Sequence, residues 1–293
     1  MKFQFVAAHR SLYSVEKMCK ALEVSRSGYY AWRKRSAGRR QVDRRMRPIV
    51  KALFDNSRQS YGSYRIWYDM RSMGWKTSPR RIARLMREMG LVAKATRVQK
   101  KKRTTRSNQQ HVKFDNVLNR QFKQDIPNTV WCGDITYIST DEGFLHLTVV
   151  LDLFNRGIVG WAMSHRMTAE QTTLPALRMA YENRQPYAPL LFHSDRGSQY
   201  TCKAYQDLLK EFNIHPSMSR KGDCYDNAVV ESFFHTLKVE LIYDCKFSTR
   251  KEAELAIFDY IEVFYNRQRL HSTLNYKSPL MFEEEYLKMK NVS

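Results

Sequence analysis

The sequence predicts an α/β protein, a mixed five-stranded sheet with flanking helices, preceded by all-α units. Three observations carry this. Apolar residues recur at helical spacing up to about residue 93 and turn to strand-like alternation from about residue 127. Three strand-like runs then follow one another across Gly-containing turns, after which helices and strands alternate. Charge divides at the same place: residues 1–126 hold 32 Lys+Arg against 8 Asp+Glu, and residues 127–293 hold 18 against 21. With 293 residues and 43% hydrophobic content, the chain has room for two or three domains with buried cores.

Residues 1–40 form a first helix-turn-helix-like unit. Ser14-Val-Glu-Lys-Met-Cys-Lys-Ala-Leu22 has helical apolar spacing, Val24-Ser-Arg-Ser-Gly28 supplies a turn, and Tyr29-Tyr-Ala-Trp-Arg-Lys-Arg35 a basic aromatic helix. Residues 41–93 form a second helical unit, with helices expected over 44–54, 61–73 (ended by Gly74) and 79–90. Ser78 is placed to cap the last of these, and Pro79 takes its first position, where a missing N–H costs nothing. Ile82, Leu85, Met86 and Met89 line one side of it, and Arg80, Arg81, Arg84 and Arg87 line the rest. Such a helix suits the major groove of double-stranded DNA, and the concentrated basic field of the front half suits a polyanion. Residues 94–126, with Lys100-Lys-Lys-Arg103, have too little apolar content to fold alone and are expected to be a basic linker.

In 127–293, strands are expected over 130–139, 144–153 and 157–165, with turns at Asp141-Glu-Gly143 and Asn155-Arg-Gly157. A helix over 168–184, a strand over 190–194, a helix over 199–213 and a strand over 215–219 follow, then a loop and a helix around Glu231, with a C-terminal helical extension. This order matches the ribonuclease-H-like architecture. Five scattered cysteines contain no Cys-x-x-Cys pair, which leaves zinc-ribbon and dithiol readings little support. No apolar run reaches membrane-spanning length and no signal-peptide core opens the chain, so a soluble cytoplasmic protein without a membrane partner is expected.

Three carboxylates in this back half point to chemistry. Asp134 lies in an apolar strand, where a lone charge is costly unless paired or bound to metal. Asp195 follows Leu190-Leu-Phe-His-Ser194 at the carboxyl end of a strand, where open α/β sheets place their sites. Glu231 shares a helix face with Asn227, His235 and Lys238, while Val230, Phe233, Phe234 and Leu237 form the packed side. Hard divalent cations prefer carboxylate oxygens, and two of them about 3.5–4 Å apart can clamp the attacking and leaving oxygens of a phosphodiester. Lys238, Asn227, Gln199, Tyr200, Arg80, Arg81 and Arg84 are the expected DNA contacts. Asp152 is held in reserve as a ligand, His193 and His235 as aids to proton transfer, and Asp223 and Asp226 are expected to be flexible. A purely hydrolytic nuclease and a DNA-binding regulator with a decayed core stay open on these residues alone.

Trp131-x-x-Asp-Ile-Thr-Tyr-Ile138, His193-Ser-Asp-Arg-Gly-Ser-Gln-Tyr200, Asp226-Asn-Ala-x-x-Glu-Ser-Phe-Phe-x-x-Leu-Lys238 and Tyr265-Asn-x-x-Arg-x-His-Ser-x-Leu274 resemble the motifs of bacterial insertion-sequence transposases with a retroviral-integrase-like core. The likeness runs over nearly the whole chain, and in particular to the second-reading-frame product of two-frame elements. It implies a DDE-type enzyme with Asp134, Asp195 and Glu231 as ligands of two Mg²⁺ ions, Mn²⁺ being able to substitute. It implies cleavage at an element end followed by strand transfer into target DNA, a homo-oligomer on DNA, and an upstream-frame protein or fusion partner. Asn275 stands where glycine is common in the family. Arg269 and His271 are candidates for either DNA contact or structure.

Overall fold

The computed structural model describes residues 1–97, 114–187, 189–220 and 223–291. They form two compact units, Met1–Ala93 and Lys94–Ser293.

The first unit is all helical: α1 (Lys2–His9), α2 (Val15–Ala21), α3 (Arg26–Asn56), α4 (Ser63–Ser72) and α5 (Pro79–Glu88). The Ser25 hydroxyl accepts from the Gly28 N–H at 3.0 Å and caps α3. The two helices expected over 29–35 and 44–54 are one continuous helix, which runs through Pro48. One end of α3 packs with α1 and α2 around Val6, Met18, Cys19 and Tyr29. At the other end Met46, Val50 and Phe54 are buried, as are Ile66 and Met70 of α4 and Ile82 and Leu85 of α5. Ser78 caps α5 from the Arg81 N–H at 3.3 Å, with Pro79 in the first turn, as expected.

The arginines of α5 divide. Asp43 on α3 is 7% exposed. It accepts from Arg81 Nε at 2.8 Å and Arg84 Nη2 at 2.7 Å. Burial alone raises its pKa, but the two guanidiniums outweigh this and hold it below the usual range. Arg81 and Arg84 therefore tie α5 to α3, while Arg80 and Arg87 remain exposed.

The second unit runs α6 (Lys94–Arg97), β1 (Val130–Thr140), β2 (Gly143–Asp152), β3 (Ile158–Ser164), α7 (Thr173–Arg184), β4 (Leu190–Ser194), α8 (Ser198–Thr201), α9 (Lys203–Glu211), β5 (Ile214–Met218), α10 (Ala228–Glu240), α11 (Arg250–Phe258) with a π-helical continuation Asp259–Tyr265, and α12 (Pro279–Asn291). The sheet order is β3-β2-β1-β4-β5. β1–β2 and β2–β3 are antiparallel, and β1–β4 and β4–β5 are parallel. This is the expected ribonuclease-H-like sheet. On one face, Trp131, Val150 and Phe192 join Ala176 and Leu177 of α7 and Leu208 of α9 in one core. A Cβ on Gly160 would stand 2.3 Å from the Ala176 carbonyl oxygen, so only glycine lets α7 approach β3 so closely.

Most of the expected linker, residues 98–113, lies outside the described residues. Residues 114–126 do not behave as linker. The Asp115 backbone carbonyl accepts from the Met218 N–H at 3.2 Å, and the Ser217 hydroxyl accepts from the N–H groups of Val117 (3.0 Å) and Leu118 (3.2 Å). Leu118 is 2% exposed. Asn275 has φ +53°, a left-handed conformation that asparagine tolerates better than most side chains.

Candidate active site

The site begins where the β1–β4 ladder stops. The two strands pair only over Val130–Cys132 of β1. The carboxyl ends of parallel strands are where open α/β sheets bind ligands. Asp134 is two residues past the last paired position, opposite Val149 of β2. It is half-buried, and its Oδ1 accepts from the Ile135 N–H at 2.8 Å. Asp195 follows the last residue of β4, and its Oδ1 accepts from the Gly197 N–H at 2.9 Å. The residue shows an exposed outer side, yet the protein packed behind it disfavours its charge. That desolvation raises its pKa against the opposing Gly197 N–H.

Tyr200 ties the two aspartates together. It is 1% exposed, and its phenol is pushed well up, first by burial, then by Tyr205 and by the charges of Asp134 and Asp195. Both carboxylates therefore act on one buried hydroxyl, which has no hydrogen-bond partner among the described residues. Gly133 makes room for this packing: a Cβ there would stand 2.5 Å from Phe192 Cζ and 3.3 Å from Tyr200 Oη. Tyr200 is thus a core residue packed with Phe192 and Tyr205, a correction to its expected DNA contact. The half-buried Gln199 donates Nε2 to the Met167 carbonyl at 2.9 Å, which ties its amide to a neighbouring loop.

Glu231 arrives on α10, half-buried in its first turn. Beyond Cys132 the Gly133 carbonyl has lost its strand partner on the β4 side, and Asn227 Nδ2 takes it at 3.2 Å. Asn227 is 5% exposed, so it docks α10 on β1 and cannot reach DNA from there. Its Oδ1 is buried without a partner among the described residues. Val230, Phe233, Phe234 and Leu237 form the buried side of α10, as their spacing implied. Lys238 is half-buried with Nζ 5.3 Å from the centroid of the Tyr137 ring. At the far end, Glu240 accepts from Arg269 Nε (2.8 Å), Arg269 Nη2 (2.7 Å) and the Tyr260 hydroxyl (2.8 Å). Arg269 is 4% exposed, so it anchors α10 and does not meet DNA.

Several acidic and basic candidates resolve into supports. Asp226 is wholly buried and accepts from Arg120 Nε (2.8 Å), Asn116 Nδ2 (2.7 Å) and the Arg220 N–H (2.9 Å). Burial raises its pKa, but the Arg220 N–H and the Arg120 guanidinium prevail and hold it low. Asp226 is therefore a fixed anchor at the start of α10, not the flexible residue its loop suggested. Its adjacency to Asn227 was the available signal. Asp223, paired with Arg120, accepts from the Tyr225 N–H at 3.1 Å. Asp152 is wholly buried and accepts from the N–H groups of Asn128 (2.8 Å) and Phe154 (2.9 Å), which makes it a turn support and not a metal ligand. Buried His193 lies between the Ser217 (2.9 Å) and Ser219 (3.2 Å) hydroxyls. Burial pushes its pKa down to about 4, so it is neutral at ordinary pH and sealed from any proton to be moved. His235 is exposed. Among the described residues, no three His, Cys, Asp or Glu side chains close on one metal-sized point.

Residues 124–224 and 231–287 match models of the integrase core domain, and residues 41–101 match an HTH-like domain. The chain is 42% identical over 292 residues to the transposase InsF for insertion sequence IS3A of Escherichia coli (strain K12), covering 98% of this chain and 100% of that one. The chain belongs to the insertion-sequence transposases. This transposase is also 42% identical over 273 residues to the 31 kDa protein of insertion element IS600 from Shigella sonnei, across 93% of its own length and 99% of the relative. The HTLV-2 integrase catalytic core domain, solved with magnesium, overlaps 54% of this chain and 97% of its own at 18% identity and a TM-score of 0.41. As a member of this family, the transposase is a DDE-type polynucleotidyl transferase that acts on DNA. Among the described residues no helix is long and apolar enough to cross a membrane.

Proposed function

We propose that Asp134, Asp195 and Glu231 are the catalytic carboxylates and hold two divalent ions, Mg²⁺ with Mn²⁺ able to substitute. What supports this is that Asp134 and Asp195 lie just past the end of the β1–β4 ladder, where both charges act on the Tyr200 phenol, and that Asn227 docks the start of the Glu231 helix on the Gly133 carbonyl. The donor set fits hard cations. Asp195 is desolvated with only one N–H to offset its charge, and Tyr200 Oη and Asn227 Oδ1 are buried polar atoms without partners among the described residues. Magnesium takes one or two protein carboxylates and completes its shell with water and phosphate oxygens. Such a site needs no closed cage of three side chains.

When bound, the ions supply Lewis-acid polarisation of the scissile phosphate and acidify the attacking hydroxyl. Asp134 and Asp195 fix the negative charge that recruits them, and the strand end and the Gly197 N–H hold both carboxylates still. α10 carries Glu231, and Asp226, Asn227 and Glu240 fix the position of that helix. A first displacement by water frees a 3′-hydroxyl at an element end. In the second, that hydroxyl attacks a phosphodiester of target DNA and the displaced 3′-oxygen leaves. Neither step leaves the protein covalently attached, so no serine or tyrosine nucleophile is needed.

Double-stranded DNA, as element ends and as target, is held by the basic first unit through the exposed Arg80 and Arg87. The working form is a homo-oligomer on DNA in the cytoplasm. An upstream-frame protein or fusion supplies the coiled-coil segment for which this sequence has no sustained heptads. The test is three near-isosteric changes, Asp134→Asn, Asp195→Asn and Glu231→Gln, on DNA bearing the inverted repeats beside the gene. Each should abolish cleavage and joining and leave DNA binding intact. Near-wild-type cleavage by any one of them removes that residue from the site.

A further inference from the structure

Two described parts of the expected linker, residues 94–97 and 114–126, meet opposite ends of α10. At its C-terminal end, Lys94 donates Nζ to the carbonyl of Glu240, the last residue of the helix, at 2.8 Å. The same ammonium pairs at 3.4 Å with Asp244, in the turn that follows. The Lys94 side chain is 15% exposed, so its charge faces the protein and is set apart from the linker's other cations. At the N-terminal end, Arg120 Nε and Asn116 Nδ2 hold the buried carboxylate of Asp226, directly before Asn227 at the helix start. The last carbonyls of a helix have no partner within it and carry a partial negative charge, so a cation there is favourable. An anion at the first turn is favourable for the opposite reason.

We propose that Lys94 is a positioning residue for strand cleavage: it clamps the C-terminal end of α10 and, with Arg120 at the other end, sets where Glu231 stands. This rests on the assignment of Glu231 to the site. α10 has 13 residues and is about 20 Å long, with Glu231 in its first turn. Lys94 therefore acts on Glu231 through the helix and not by contact. Its buried side, Val230, Phe233, Phe234 and Leu237, presses α10 onto the core. Apolar burial is non-directional, so it leaves the setting of the helix along its own axis to directional bonds at the ends. Arg269 and Tyr260 hold the side chain of Glu240, and Lys94 holds its backbone. Lys94 is also the residue at which the second unit begins. The chain thus grips the helix of Glu231 as soon as it leaves the first unit, and a pull on that unit by bound DNA reaches α10 at this bond.

The experiment uses the full chain. Lys94→Met keeps an apolar stem and removes the ammonium, and Lys94→Arg keeps a cation. Lys94→Met should raise the Mg²⁺ concentration for half-maximal single-turnover cleavage about tenfold, as loss of a support behind a metal ligand does. Its affinity for element-end DNA should stay at wild type, and Lys94→Arg should stay close to wild type in both measurements. Hydrogen exchange of the protein without metal or DNA reads the clamp itself: the amides of α10 back to Glu231 should exchange faster in Lys94→Met and not in Lys94→Arg. Unchanged exchange in Lys94→Met would overturn the clamp. Faster exchange with a wild-type Mg²⁺ dependence, where Glu231→Gln is inactive, would leave Lys94 a helix cap without bearing on the site. A fall in DNA affinity with a wild-type Mg²⁺ dependence would make it a DNA contact and overturn the proposal as well. An active Glu231→Gln would instead remove the carboxylate assignment, a failure that the exchange measurement keeps separate.

Discussion

The side-chain amide of Asn227 donates to the carbonyl of Gly133 at 3.2 Å, so one hydrogen bond joins the helix of Glu231 to the strand of Asp134. The bond stands where the parallel ladder runs out, and no strand is there to replace it. Asn227→Ala should cost about 1–3 kcal/mol through an unpaired buried carbonyl. Because it also loosens the approach of α10, cleavage should slow about tenfold or more while DNA affinity holds. Asn227→Asp, which turns the donor into an acceptor, should do no better. Denaturant melts beside single-turnover rates check this; wild-type rates in both variants would show that the bond does not position Glu231.

Gly133→Ala tests the packing behind the same point. The added methyl would stand 2.5 Å from Phe192 Cζ, well inside contact distance. Overpacking of this kind costs about 1–3 kcal/mol. Trimming the obstacle with Phe192→Leu in the same chain should recover part of the loss, measured as the coupling in a double-mutant cycle.

The arginines of α5 should separate into two classes. Exposed Arg80 and Arg87, changed to alanine, should each lower DNA affinity and reduce the salt slope by about one, with stability within about 0.5 kcal/mol of wild type. Arg84→Ala should instead lower the melting temperature, because Asp43 at 7% exposure loses one of its two guanidinium partners. Salt titrations of binding beside thermal melts distinguish the classes, and a fall in affinity without a fall in stability for Arg84→Ala would reverse this assignment.

Asp152 should leave a signature in the pH dependence of stability. Burial raises its pKa from 3.8 to about 6, against the Phe154 and Asn128 N–H groups. A carboxyl raised on folding costs stability in full above about 6, and the cost is relieved as pH falls towards 3.8. Asp152→Asn does not titrate. The stability of wild type minus that of Asp152→Asn should therefore rise by roughly 2 kcal/mol from pH 7.5 to pH 4. A flat difference would mean that the native carboxyl titrates at its ordinary value.

Periodicity and turn residues made the sheet legible. The five strands fall within one or two residues of their expected places, because alternation and the glycines at 143 and 157 act locally. α1 was missed, although Phe3, Val6 and Ala7 carry the helical spacing, and Val6 is wholly buried. The continuity of α3 was hidden by Ser36-Ala-Gly38 and a run of arginines with no apolar stripe. What failed most were partners far away in sequence. Arg81 and Arg84 find Asp43 some forty positions back, Asn227 finds a carbonyl freed by strand divergence, and Tyr200 is buried by Phe192 and Tyr205. Each side chain announces its chemistry in the sequence, but only tertiary packing decides whether that chemistry faces DNA or the protein.

β5 is the outer strand of the sheet, and residues 115–118 lie along it with three hydrogen bonds to Met218 and Ser217. A cut at residue 127, where the strand pattern begins, strips this cover, frees the Met218 N–H at the sheet edge and removes the buried Leu118 from beside it. Bare edges pair with the same edge on another copy. A preparation of the catalytic unit begun at 127 should aggregate as its concentration rises, and one begun at 94 should stay dispersed in light scattering. The segment 114–126, which carries no chemistry, thus decides whether the enzyme can be handled without its partner domain.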